Sequence, residues 1–292
     1  MRLATTKTGQ TINVVDANLE EGVITAQVVY PEDLGALLKQ ENWRELVEQA
    51  AGTAADTANT ANTADTATIT LPTSDLAALI PNPGKIICVG LNYADHIKEM
   101  GHPTPEVPTL FIKYPEALTG PFDQVTIPKQ AAEALDAESE LAVIIGSKAH
   151  RVSEAEAAKH IAGYAVINDY TLRDWQKRTQ QWHQGKSYYR TAGFGPWLTT
   201  REEYTPGTRI TAHWDEELMQ DSTTDQLVFS PEFLVSFISQ IYPLQPGDVI
   251  ATGTPDGVGF ARNPARFIQH GQAVRCAIEG LGWIENTTLI EG

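Results

Sequence analysis

The chain has 292 residues, a formal charge of −16 and 42 % hydrophobic residues, so it can bury a sizeable core. It lacks the basic clusters that grip phosphate backbones or anionic lipid surfaces. No apolar stretch approaches the ~20 residues needed to cross a bilayer, and the opening Met1-Arg2-Leu3-Ala4-Thr5-Thr6-Lys7 has no apolar middle of a signal peptide. These features predict a cytoplasmic protein with neither a nucleic-acid nor a membrane partner.

The first elements read as short strands, Ile12–Val15 and Val23–Val29, rich in β-branched residues. Pro31-Glu32-Asp33-Leu34 then opens a helix carrying Leu34, Leu37, Leu38, Leu46 and Val47, its spacing broken near Asn42. From Gly52 to Thr68 a Thr-Ala-Asp/Asn refrain offers no large apolar side chain to offset its ordering entropy. It reads as a flexible linker ending a small N-terminal α/β domain over residues 1–75, with residues 76–292 as one mixed domain. Lys85–Gly90 is a strand and Tyr93–Met100 a short helix. Glu140–Gly146 and Ala162–Asp169 are strands flanking a helix over Ser153–Ile161, where Ser153 and Glu156 form a capping box. A helix over Pro231–Tyr242 precedes the strand Asp248–Ala251. Strands outnumber helices without regular alternation, which predicts an α+β fold. Cys88 and Cys276 sit in apolar runs and read as buried thiols, too few for a structural zinc site.

Glu138 and Glu140, two residues apart at the entry to an apolar strand, point to one face of it. Carboxylates so close repel unless water screens them or a cation lies between them. Asp169 ends a second apolar run, so the acids read either as solvated strand ends or as a hard oxygen site suited to Mg²⁺, Mn²⁺ or Ca²⁺. His96 and Glu99 lie three apart on one helix face and can touch. The Gly-rich run Thr252-Gly253-Thr254-Pro255-Asp256-Gly257-Val258-Gly259 lacks the Gly-Lys-Ser/Thr ending of a phosphate loop, but its hydroxyl and backbone donors suit a carboxylate.

Four segments together resemble the fumarylacetoacetate hydrolase superfamily, from its acylpyruvase to its 2-hydroxyhepta-2,4-diene-1,7-dioate isomerase members. They are Gly90–Met100, Glu138–Gly146, Asn168–Gln176 and Pro246–Gly259, with Gly185-Lys186-Ser187 and Gly195-Pro196-Trp197 between them in order. The likeness spans roughly residues 80 to 290. It implies a mixed β-roll or sandwich domain, usually paired as a homodimer. It implies that Glu138, Glu140 and Asp169 hold a divalent metal, Mg²⁺ or Mn²⁺ with Ca²⁺ as a stand-in. It further implies that His96 and Glu99 activate water, that Lys186 stands beside the metal, and that Arg173, Gln176 and Thr254 lie near the bound acid. Two departures occur: Ala137 replaces a common tyrosine, and Phe111-Ile112-Lys113-Tyr114-Pro115 varies the usual Lys-Pro step.

The reaction so implied is hydrolysis of a carbon–carbon bond in a small acylpyruvate-type 2-oxo acid such as fumarylpyruvate, in aromatic-compound catabolism, through a metal-stabilised enolate. The same enolate serves an oxaloacetate decarboxylase or a hydroxydienedioate isomerase. A calcium-binding scaffold built on the same carboxylates is the non-enzymatic alternative, and it gives no reason for His96, Arg173 and Lys186 to accompany them.

Overall fold

The computed structural model describes residues 1–56 and 68–292. Most of the linker expected over Gly52–Thr68 lies outside the described residues, although the helix Trp43–Asp56 carries on into its start. The helix expected from Leu34 divides in two, Leu34–Leu38 and Trp43–Asp56, at the break in apolar spacing.

Among the described residues the strands form an 11-stranded sheet, a five-stranded sheet and a two-stranded ladder. The large sheet begins at Ile69–Pro72 and passes through Val23–Tyr30, Thr11–Asn18 and Arg2–Thr5 to Ala192–Thr200. It continues through Ile161–Asn168, Ser139–Ile145, Val249–Ala251 and Ile86–Gly90 to Thr109–Lys113, and the eleventh strand, Leu118–Thr119, pairs off this path with Ala192–Thr200. The five-stranded sheet runs Glu217–Thr223, Arg209–Trp214, Ala273–Ile278, Gly282–Glu291, Val125–Pro128. Strands on both sides of residue 75 thus share one sheet, joined where Leu3 lies opposite Leu198.

Ser139–Ile145 and Ile161–Asn168 are buried along their whole length, as expected of strands covered on both faces. Alternation explains how they serve two cores. Leu141, Val143 and Ile145 pack towards the five-stranded sheet with Ile210, Val274 and Ile284. Ala142, Ile144, Ala165 and Ile167 pack on the other side with Leu34, Leu37, Leu38 and Val47 of the N-terminal helices. Glu140 precedes Ala142 by two and Asp169 follows Ile167 by two, so the acids continue this second face beyond the point where apolar residues fill it. Cys88 and Cys276 are free and buried. The α+β architecture, dominated by sheets, is the one the sequence predicts.

Candidate active site

Register brings the acids together. Ser139 lies opposite Asn168 across an antiparallel pair, and the Asp169 backbone N–H donates to the Glu138 carbonyl at 2.9 Å. Each of Glu138, Glu140 and Asp169 then offers an oxygen within 4.8 Å of the others, and all three are buried.

Buried carboxylates this close require cations. Lys186 Nζ stands between Glu138 Oε2 (2.6 Å) and Asp169 Oδ2 (2.8 Å). Lys113, fully buried, pairs with Asp169 Oδ1 at 2.8 Å and donates to the Lys186 carbonyl. Arg173 binds Asp136 Oδ2 through Nε and NH2 and Glu138 Oε1 through NH1, each at 2.8 Å. Burial pushes the Glu138 carboxyl up, but Lys186 and Arg173 outweigh it and hold it at about 2. Burial also opposes the charge on Arg173, yet Asp136 and Glu138 more than offset that and raise it. Glu140 goes the opposite way. Burial, Asp169 and Glu138 push its carboxyl well above the carboxylate range. Among the described residues no Lys, Arg or His forms an ion pair with it, and its Oε2 accepts only the Gly253 N–H, at 2.9 Å.

Four acids (Asp136, Glu138, Glu140, Asp169) therefore face three bases (Lys113, Arg173, Lys186), and the deficit falls on Glu140. Hard oxygen donors with one carboxylate short of a counter-charge fit a divalent cation such as Mg²⁺ or Mn²⁺.

His96 Nδ1 meets Glu99 Oε2 at 2.8 Å, and the opposite oxygen, Oε1, accepts the Gly257 N–H at 2.9 Å. The helix Ala94–Glu99 that carries the pair is anchored from the five-stranded sheet, where Ser222 Oγ donates to Asp95 Oδ2 at 2.6 Å. His96, Glu138, Glu140, Lys186, Gln176 and Thr254 all line one cavity of about 360 Å³. Its apolar wall includes Met100, Phe111, Trp182 and Phe260.

The Gly-rich run does hold carboxylates, and they are the protein's own. Gly253 N–H binds Glu140, Gly257 N–H binds Glu99, and Gly259 and Phe260 N–H bind the two oxygens of Asp136 (2.9 and 3.0 Å). The glycines at 253 and 257 have φ of +95° and +91°, which other residues adopt only under strain. At Gly257 a Cβ would also lie 2.1 Å from the Met219 carbonyl. Gln220, buried in the second sheet, pins this run to the acid-bearing strand. Its Oε1 accepts the Ser139 N–H at 3.0 Å, and its Nε2 donates to Thr254 Oγ1 and the Pro255 carbonyl at 2.8 and 2.9 Å.

Of the nine residues singled out from the sequence seven line this cavity, with Glu99 behind His96 and Asp169 behind Lys186, and of the three expected near the bound acid Thr254 and Arg173 are already occupied. Thr254 Oγ1 accepts from Gln220 and donates to the Ser139 carbonyl at 3.0 Å. Every guanidinium nitrogen of Arg173 faces a protein acceptor, NH1 also reaching Gln176 Oε1 at 3.2 Å. Sequence reasoning passed over Asp136, Lys113 and Gln220. For Asp136 the signal was present, since Asp136, Glu138 and Glu140 alternate. For Lys113 it was a lone lysine ending an apolar strand.

A family model described as fumarylacetoacetate (FAA) hydrolase C-terminal matches residues 85–289. Over 222 residues the chain is 41 % identical to oxaloacetate tautomerase FAHD2B, mitochondrial, of Bos taurus, covering 74 % of this chain and 70 % of that protein. Among solved structures it is similar to fumarylacetoacetate hydrolase from Exiguobacterium antarcticum (TM-score 0.81, 30 % identity, 100 % of both chains). It is also similar to maleylpyruvate hydrolase from Sphingobium sp. SYK-6, solved with manganese (II) ion and pyruvate (TM-score 0.77, 26 % identity, 100 % of both chains).

Proposed function

The chain belongs to the fumarylacetoacetate hydrolase family, and on that premise we propose that it hydrolyses the C3–C4 bond of a small acylpyruvate-type 2,4-dioxo acid. The observation that carries this reading is a base dyad whose His96, held by Glu99, lines the same cavity as Glu138 and Glu140 of a cation-deficient carboxylate triad. Glu138, Glu140 and Asp169 would hold a divalent cation, which supplies Lewis-acid charge to the 2-oxo acid end of the substrate.

With Nδ1 tied to Glu99, His96 keeps Nε2 to take a proton from water, and Glu99 stabilises the resulting imidazolium. The water oxygen bonds to C4, the C3–C4 bond breaks, and its electron pair goes to the pyruvate fragment as an enolate. The proton held by His96 then passes to C3. The Lys186 ammonium offsets the developing negative charge throughout.

A second reading is favoured by the 41 % identity to an oxaloacetate tautomerase. There His96 shuttles a proton between C3 and the enol oxygen, and no water attacks. One assay series separates these reactions, using purified protein with Mg²⁺ or Mn²⁺ and again with a chelator. Chelator-sensitive pyruvate release from acetylpyruvate or a longer acylpyruvate supports hydrolysis. Accelerated decay of enol oxaloacetate absorbance without pyruvate release supports tautomerisation, and pyruvate from oxaloacetate marks decarboxylation. Failure of every 2-oxo acid to react would overturn the reading.

A further inference from the structure

An anionic substrate entering a chain of charge −16 needs a local positive group. Three lysine or arginine side chains line the cavity, Arg173, Lys177 and Lys186. Two are neutralised by the protein: Arg173 by Asp136 and Glu138, Lys186 by Glu138 and Asp169. Lys177 is the third. Among the described residues it pairs with no carboxylate, and the nearby Asp174 pairs with Arg178 instead.

Lys177 is nonetheless held in place. It follows the short helix Arg173–Gln176, its backbone N–H bonded to the Arg173 carbonyl at 3.2 Å, so its side chain shares a face with Arg173. Its Nζ lies 3.2 Å from the centre of the Phe260 ring, which also lines the cavity. An aromatic face orients an ammonium without supplying a counter-ion. Beside it, Gln176 spends Oε1 on Arg173, and its amide N–H₂ remains as a neutral donor.

We propose that Lys177, with Gln176 beside it, binds a second acidic group on the substrate, so that the site selects 2-oxo diacids over matched 2-oxo monoacids. The role that sequence reasoning gave to Arg173 moves one helical turn along, because Arg173 is committed to holding Asp136 and Glu138. A charge-assisted hydrogen bond from an ammonium not already neutralised is what makes the selection.

This inference rests on the 2-oxo acid reading above, and the test separates the two. Mg²⁺-loaded protein is titrated by calorimetry with 2-oxoglutarate and with 2-oxopentanoate, which differ only in the distal carboxylate. Wild type should prefer the diacid by roughly tenfold or more, the scale of a hydrogen bond to a charged group. Lys177→Met should lower that preference to near unity without changing binding of the monoacid, and Lys177→Arg should keep most of it. Lys177 is exposed, so an unchanged melting temperature verifies that both variants are folded. Equal affinities in wild type, or a preference that survives in Lys177→Met, overturns the inference and leaves the 2-oxo acid reading standing. Binding of neither ligand overturns both.

Discussion

Gly257 holds Glu99 by one carboxylate oxygen, at 2.9 Å, and thereby turns the other towards His96. The contact fixes the carboxylate that must stabilise an imidazolium, and it ties the base to the run that also holds Glu140. Glu99→Gln keeps the shape and removes the charge. Pyruvate release from an acylpyruvate should fall by roughly 100-fold, the low end of what general acid–base catalysis contributes. Divalent-metal affinity, read by calorimetry, should stay within experimental scatter of wild type. A large loss of metal affinity would contradict the separation of dyad and metal ligands.

Glu140 bears the charge deficit of the site, so it decides how metal and stability are linked. With metal at 100 times its dissociation constant, binding should stabilise wild type by about 2.7 kcal/mol, and a chelator should remove that gain. In Glu140→Gln the gain should vanish. The metal-free variant should also melt no lower than metal-free wild type, because it removes a buried carboxyl that must either take up a proton or stay charged without a partner. A variant that melts lower in the chelator while still responding to metal would show that Glu140 is not the residue left short of a cation.

Asp256 tests the electrostatics around the dyad. Burial, then Asp95 and Glu99, raise its carboxyl above the ordinary 3.8. A raised acid favours the folded state while protonated, so its contribution is full below 3.8 and is lost as pH rises through the elevated folded value. Asp256→Asn should therefore raise the melting temperature at pH 7, with the gain shrinking as pH falls towards 3.8. A gain that is constant across this range would point to packing instead.

Gln220 satisfies three buried groups of two separate segments. Gln220→Leu leaves the Ser139 N–H without its partner and strips the donor from Thr254 and Pro255. The expected cost is roughly 2–4 kcal/mol of stability by chemical denaturation. Activity per folded molecule should fall as well, since the carboxylate strand loses its tie to the run that holds Glu140 and Glu99.

What the sequence revealed were local relations. Glu138 and Glu140 share a face because a strand has period two, and His96 reaches Glu99 because a helix brings residues three apart together. The break in apolar spacing near Asn42 became the gap between two helices. What stayed hidden depends on non-local pairing. That Asp169 meets Glu138 follows from Ser139 lying opposite Asn168, and a one-residue slip would have turned the acids away from each other. Arg173 suited a substrate carboxylate by type, and only the fold put Asp136 in its path. The Gly-rich run was read as a carboxylate holder, but which carboxylates it holds could not be known before the strands were arranged.

The join between Arg2–Thr5 and Ala192–Thr200 has a consequence for how the chain can be cut. A chain shortened to begin after Pro72 would leave the outer edge of Ala192–Thr200 without its partner near Leu198, presenting bare N–H and C=O groups to other molecules. It would also uncover Ala142, Ile144, Ala165 and Ile167, the apolar continuation of the face that bears Glu140. Such a fragment keeps every residue of the cavity wall and should nevertheless aggregate. The opening strands and helices, which contribute no side chain to the chemistry, cover the surface that would drive that aggregation.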